Sequence, residues 1–408
     1  MKSIQVIYIS YDGMCDPVGA SQVLPYIAEL SKQSIEFFLI SFEKPEKFES
    51  GEATVRAMLE GLPVHWFPLR YTKNPPVFST MIDLRKMKIL CRKICRENKI
   101  DFIHARSYIS ALAAMHMHHK RKIPFIFDMR GFWADERIDG QIWSLKNPVF
   151  RIIYRFFKQK EKQLLSESAT VVSLTCAAKN YMIENWNIHE NKIHVIPCAA
   201  DYSHFAEQSP SVVQEFRLKH KLPVVSGKTL MYIGSTGTWY MLKEMFDFYN
   251  VFRNQFPGSQ FVLCINETNS VVEEMKQKFP DEIIVLQRIP RSDMPLVLSL
   301  ADYSIMFIKP AFSKKASSPI KLGESLAMGV PVICNAGVGD LGTIEDEKFG
   351  VVVNTTTIIE YDAACKRLAA NDFSSPDIRD RSALSYDLSR NVEKYRIVYW
   401  NLKGDKYQ

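Results

Sequence analysis

No window of about 18 residues in this 408-residue sequence is both apolar and free of charge, which argues against a transmembrane helix. The N-terminal run Ile4-Gln5-Val6-Ile7-Tyr8-Ile9-Ser10 is too short for the core of a signal sequence and meets Asp12 at once, so it reads as the first strand of a cytoplasmic protein. Low-complexity tracts and short-period repeats are missing, which excludes a solenoid or an extended disordered tail. No Asp-x-Asp motif occurs, which suits chemistry without a bound metal. The cysteines number 8, and only Cys91 and Cys95 stand at helical spacing, with no second Cys or His pair to complete a metal site. Several of the others sit in apolar runs, as small buried thiols of a reducing compartment do. His116, His118 and His119 lack an acidic partner at metal-binding spacing and read as a polar helix end. No recognised nucleic-acid-binding motif is present.

What is present is a globular composition, 47% hydrophobic, on a chain long enough for two domains of about 200 residues. The net charge of +7 is unevenly placed. Residues 1–205 hold 28 Lys+Arg and 21 Asp+Glu, while residues 206–408 hold 24 of each, so the whole excess lies in the first half. That asymmetry predicts an anionic partner for the first half: a membrane surface, lipid phosphate or nucleic acid. Two basic segments concentrate it. Val149–Leu165 interleaves Arg151, Arg155, Lys158, Lys160 and Lys162 with aromatic and aliphatic residues, and Leu84–Lys99 is also basic. Both fit an interfacial membrane face, and both fit equally an amphipathic helix packed on a sheet.

Short apolar runs alternate with helical patterns along the first half, from Ile4–Ser10 to Ile193–Pro197. The rhythm breaks near Pro197–Pro210 and restarts at Lys228–Gly234. This predicts an α/β protein of two Rossmann-like, doubly wound parallel sheets. The predicted boundaries are 1–200 for an acceptor domain, 201–388 for a donor domain, and 389–408 for a C-terminal helix packing back toward the first. Facing sheets of this class place ligands in a crevice at the carboxyl ends of their strands.

Four segments carry chemistry at such ends. After the first strand, Asp16-Pro17-Val18-Gly19-Ala20-Ser21 opens a helix, and Gly19 suits either a close approach to phosphate or a plain turn; the dinucleotide spacing is absent from this loop. The second sheet opens with Gly234-Ser235-Thr236-Gly237-Thr238-Trp239, a diphosphate cradle or again a tight loop. In Ser317-Ser318-Pro319-Ile320-Lys321-Leu322-Gly323-Glu324, Ser318 is expected to cap a helix with Pro319 at its first position. That helix start offers free N–H groups and a positive dipole end to an anion, Lys321 adds charge, and Glu324 can accept hydrogen bonds from two ribose hydroxyls. The predicted donor set is therefore Gly19, Gly234, Ser235, Thr236, Gly237, Arg288, Ser317, Ser318, Lys321, Leu322 and Glu324. The fourth segment is Asp128-Met129-Arg130-Gly131-Phe132-Trp133-Ala134-Asp135-Glu136, beside His104-Ala105-Arg106 at the same sheet edge. Its charges crowd around aromatics, as polar groups converging on a site do. Asp128, Arg130 and His104 are the catalytic candidates, and Arg106, Trp133 and Glu136 the acceptor-binding ones.

On these residues the chain resembles family 4 retaining glycosyltransferases of the GT-B fold, of the kind that build bacterial surface polysaccharides. Ser318 to Pro331 resembles that family's donor-binding signature, with Glu324 at the ribose-binding glutamate. Asp16–Gln22 resembles its first glycine loop, Val195–Phe205 its interdomain linker, and Ser389–Leu402 its C-terminal crossing helix. The family's second glutamate would fall on Ala316, and its active-site histidine near Arg130, which cannot shuttle a proton at neutral pH.

The resemblance implies transfer of a sugar, with retention of configuration, from a nucleoside-diphosphate sugar to a glycan or lipid-linked sugar, such as a lipopolysaccharide or capsule precursor. The expected enzyme is a metal-independent hexosyltransferase. It would have no cofactor beyond its nucleotide-sugar co-substrate and no nucleic-acid partner, and it would be cytoplasmic or peripheral on the inner face of the membrane. A nucleotide-sugar epimerase of the same fold, or a catalytically silent nucleotide-binding subunit, remain alternatives.

Overall fold

A computed structural model describes residues 3–75, 77–237 and 239–404; Thr238 of the second glycine loop and positions 405–408 of the predicted C-terminal helix lie outside the described residues. The chain divides into two compact units, Met1–Pro197 with Asn391–Gln408, and Cys198–Arg390.

The first unit holds strands β1 (Ile4–Ser10), β2 (Ile35–Glu43), β3 (Val64–Arg70), β4 (Phe102–Arg106), β5 (Phe125–Asp128), β6 (Thr170–Ser173) and β7 (Ile193–Val195). They form one sheet in the order β3-β2-β1-β4-β5-β6-β7, with every neighbouring pair parallel. A parallel sheet is covered on both faces, so its strands must be apolar throughout. Ile4, Val6, Ile7 and Ile9 of β1 are fully buried, each contributing about 1.5–3 kcal/mol.

The helix predicted over Ser21–Gln33 is two, Pro17–Gln22 and Leu24–Ser31, broken at Val23. Pro25 has no N–H to continue the ladder and is tolerated only in a first turn. The helix Leu388–Gly404 begins in the second unit and ends in the first. There Asn391 Nδ2 donates to the Pro197 carbonyl at 3.1 Å, and Val392, Tyr395, Val398 and Tyr399 are buried.

The second unit holds β8 (Thr229–Gly234), β9 (Gln260–Ile265), β10 (Ile283–Gln287), β11 (Tyr303–Met306), β12 (Val332–Asn335) and β13 (Gly350–Val353), all parallel in the order β10-β9-β8-β11-β12-β13. Alternation along β8 sends Leu230 to one core, with Phe246, Phe248 and Phe261, and Met231 to the other, with Phe205, Leu322 and Leu326. In each sheet the order reverses beside the first strand, between β1 and β4 and between β8 and β11. Ligands of open α/β sheets bind at the strand carboxyl ends next to that reversal. The predicted chemical segments stand at or beside these ends.

Candidate functional site

In the second unit the helix Ile320–Ala327 lies between β11 and β12. Its N-cap is Pro319, without a side-chain cap. The expectation that Ser318 caps it is corrected: Ser318 lies one residue too early, and its Oγ accepts from the Cys198 N–H at 3.1 Å. Leu322 is also corrected as a donor-binding side chain, because it faces inward and packs in the core with Ala200 and Leu326. Lys321 and Glu324, three residues apart, share a different face of the same helix.

The Lys321 ammonium is buried and has no hydrogen-bond partner among the described residues. It lies 3.8 Å from the Tyr240 ring centroid and 5.0 Å from that of Tyr232. Burial, with only Glu324 pulling the other way, brings its pKa down from the ordinary lysine value to about 7. Gly234 makes room for it, since a Cβ there would stand 2.2 Å from Lys321 Nζ and 2.7 Å from Tyr232 Oη. The following loop is braced from below: Tyr232 Oη donates to the Ser235 carbonyl at 2.6 Å, and Thr236 Oγ1 to that of Glu267 at 3.3 Å. Ser235 and Gly237 are exposed.

Glu324 is 6% exposed, and its Oε1 stands 2.7 Å from Arg291 Nη1. The pair is close enough for ionic attraction, yet the N–H directions give Oε1 no hydrogen bond. Glu324 Oε1 therefore keeps an open lone pair one turn from the unpartnered Lys321 Nζ, with the Arg291 guanidinium beside it. Arg288, at the end of β10, is exposed in a left-handed conformation with φ of 54°, and Ser317 stands half-buried before the helix. Sequence reasoning missed Arg291, Tyr232 and Tyr240; the adjacency of Tyr232 and Gly234 was visible, but nothing in the spacing joins either to Lys321. It also passed over Gly337-Val338-Gly339-Asp340-Leu341-Gly342, which has dinucleotide spacing after β12. That run leads only into a one-turn 3-10 helix, Leu341–Thr343, and so lacks the helix start the fingerprint needs.

In the first unit, register explains the second cluster. Ser10 pairs with Arg106 and Arg106 with Asp128 across β1, β4 and β5, while Tyr8 pairs with His104 one row behind. The Asp128 carboxylate accepts from Tyr395 Oη at 3.1 Å and contacts His104 Nε2 at 3.3 Å; Arg130 Nη1 stands 3.8 Å from its other oxygen. Burial pushes the Asp128 carboxyl up, but the Arg130 charge, the His104 hydrogen bond and Arg106 together hold it below the usual range. Burial lowers the His104 pKa against the pull of Asp128, so the ring is neutral. Facing an ionised carboxylate, Nε2 must carry the proton, and Nδ1 accepts from Tyr399 Oη at 2.6 Å. The His104 ring, 1% exposed, packs against Tyr8, Tyr395 and Tyr399.

Nearer the edge, Arg106 Nε lies 3.8 Å from Asp12 Oδ2, and Arg130 Nη2 donates to Gln22 Oε1 at 3.3 Å. Gly19 is a packing position, since a Cβ would meet the Gly13 carbonyl oxygen at 2.0 Å. The aromatics taken as a mark of a site have a packing reason as well. Phe132 packs on Tyr181 and Trp186, and Trp133 on Tyr108, Trp143 and Phe157. Glu136 lies half-buried on the short helix Trp133–Asp139. Among the described residues no group of three or more His, Cys, Asp and Glu could hold a metal ion.

Residues 20–204 match the family model described as Glycosyltransferase Family 4. No curated protein sequence matches the chain significantly. Solved structures share the fold at low identity. A glycosyltransferase from Rickettsia africae ESF-5 superposes with a TM-score of 0.70 at 14% identity, over 98% of this chain and 99% of that one. Anabaena Alr3699/HepE in complex with UDP and glucose gives 0.65 at 13% identity, over 97% and 99%. WaaG, a glycosyltransferase involved in lipopolysaccharide biosynthesis, gives 0.64 at 13%, over 97% and 99%. The matched family region ends before Glu324, so the donor segment stands on its geometry. The Glycosyltransferase Family 4 model thus matches residues 20–204, and the chain has the fold of the GT-B glycosyltransferases over nearly its whole length.

Proposed function

We propose that the chain transfers a hexosyl group, with retention and without a metal ion, from a nucleoside-diphosphate sugar to a glycan or lipid-linked acceptor of surface polysaccharide assembly. The observation that carries the donor half is the buried, unpartnered Lys321 ammonium beside Glu324 at the Gly234 loop. An isolated buried cation is costly unless an anion completes it. A diphosphate between the glycine loop and the uncapped helix start does so, and leaves Glu324 one turn further on for the ribose hydroxyls in place of Arg291. Charge develops on the departing diphosphate, so a preorganised cation and helix N–H groups act where stabilisation matters most. Support comes from Anabaena Alr3699/HepE, a protein of like fold solved with UDP and glucose.

On the acceptor half, Asp128 and Arg130 stand at the sheet edge with Arg106 and Asp12. His104 acts behind Asp128 as a positioning residue, through the hydrogen bonds that orient its carboxylate. A thermal-shift series with nucleoside diphosphates, followed by turnover of the sugar donor that binds, tests the reading. Stabilisation of the wild type that disappears in Lys321→Met is the expected result, and no stabilisation by any nucleoside diphosphate would sink it. Donor consumption that needs no acceptor would instead mark an epimerase.

A further inference from the structure

Two helices of the first unit, Phe78–Glu97 and Pro148–Glu167, flank the helix Ser107–Arg121, which packs on both. Each already has a core-facing set: Met87, Cys91 and Ile94 on one, Phe157, Leu164 and Leu165 on the other. Yet each carries a second apolar set that faces solvent. Phe78, Met81, Ile82 and Ile89 are exposed on the first, with Phe78 at 65%; Val149, Ile152 and Phe156 are exposed on the second, with Ile152 at 67%. The amphipathic pattern of the sequence thus has two readings that are both true, on opposite sides of the same helices.

Cations share the outward stripes. Arg85, Arg92, Lys93 and Arg96 are exposed on one helix, and Arg151, Arg155 and Lys162 on the other. None of them is ion-paired among the described residues. The mid-helix acids are buried and already engaged, Asp83 by Lys86 and Glu161 by Lys158. Glu97 and Glu167 stand only at the helix ends. Burial first, then the charges of Arg92 and Lys160, lower the Lys88 pKa. Like charges held together without counterions destabilise a surface unless a partner neutralises them. Cations interleaved with exposed aliphatic and aromatic side chains fit a lipid headgroup boundary, where stems and rings enter and charges stay with phosphate.

The apolar turns are the N-terminal ones, and they lie at the strand carboxyl edge. Tyr11, just past β1, donates to Asp83 Oδ2 at 3.1 Å, and Tyr154 donates to Asp135 Oδ1 at 2.8 Å in the helix that follows Asp128. We propose that these two outward faces dock the first unit on an anionic lipid bilayer. Phe78, Met81, Ile82, Val149, Ile152 and Phe156 enter the headgroup boundary, and the cations behind them rest on lipid phosphate. A lipid-linked acceptor is then presented to the edge that holds Asp12, Arg106, Asp128 and Arg130; this last step rests on the transferase reading, whereas the docking does not.

Co-sedimentation of the full chain with vesicles of phosphatidylglycerol and phosphatidylcholine, against vesicles of phosphatidylcholine alone, tests the docking. Binding is expected only to the anionic vesicles and should weaken as salt rises. Replacing Arg85, Lys93 and Arg155 together by Ser should weaken it about fivefold per cation, and F78S with I152S should weaken it again. I359S, on an exposed apolar position of the second unit, should change nothing. Nucleoside diphosphate stabilisation should persist in every variant, which certifies folding. Its absence from the wild type would count against the transferase reading and leave the docking standing. Equal wild-type binding to both vesicle types, variants that bind like wild type, or capture by an RNA or DNA oligonucleotide in place of vesicles would each overturn the proposal.

Discussion

Lys321 is held in a state that is unfavourable for the free protein. Its pKa of about 7 lies below that of an unfolded lysine, so between about pH 7 and 10 the unfolded chain binds more protons than the folded one. Stability of the unliganded protein should therefore rise with pH through that window. Lys321→Met should remove the slope and stabilise the unliganded chain by roughly 1–3 kcal/mol, since it deletes an unpaired buried polar group. The same variant should lose nucleotide binding. Above pH 7 wild-type binding should take up a proton, which titration calorimetry in buffers of different ionisation enthalpy would detect; pH-independent binding without uptake would place the phosphates elsewhere. Glu324→Ala should cut kcat/KM for the donor on the order of 100-fold, the worth of two charge-assisted hydrogen bonds. Circular dichroism should remain that of the wild type. Glu324 and Lys321 were legible as a pair because their spacing puts both on one turn of a capped-looking helix. Arg291 was not, because its approach to Glu324 depends on how β10 and the Ile320 helix pack.

At the scale of elements, the Ile320 helix shows how a correct position can have the wrong cap. Ser-Ser-Pro reads as a helix start, yet the serine hydroxyl serves Cys198 and the helix begins uncapped. Ser318→Ala should thus cost about 1 kcal/mol through one lost hydrogen bond and leave nucleotide binding nearly unchanged; a collapse of nucleotide affinity would restore a direct role for the hydroxyl. Most strands were legible because parallel strands are unbroken apolar runs. The helix Pro45–Leu59 was not, because only Val55 and Leu59 are buried along it and its apolar period is faint. Trp133 and Phe132 are ambiguous for the opposite reason. Aromatics beside a strand end signal either a site or a small core, and their contacts with Tyr108, Phe157, Tyr181 and Trp186 supply a packing reason beside the binding one.

At the scale of the whole molecule, both sheets and the restart between them were visible in the rhythm of apolar runs. The network around Asp128 was not, because it joins residues from opposite ends of the sequence. Removing the Tyr399 hydroxyl with Tyr399→Phe should leave His104 Nδ1 buried without a donor and cost about 1–3 kcal/mol, read as a shift of the denaturant midpoint. Nucleotide stabilisation of the second unit should survive. If Asp128 is held for function by this network, kcat should fall while KM for the donor stays constant.

His104 and Tyr399 are 295 residues apart. At roughly 5–20 residues per second of synthesis, the histidine waits some tens of seconds for its tyrosine. During that time the second unit, which is contiguous from Cys198 to Arg390, is made in full and is free to fold. The part of the protein that is born first is therefore finished last, and a chain halted before its closing helix carries a polar core that nothing has yet sealed.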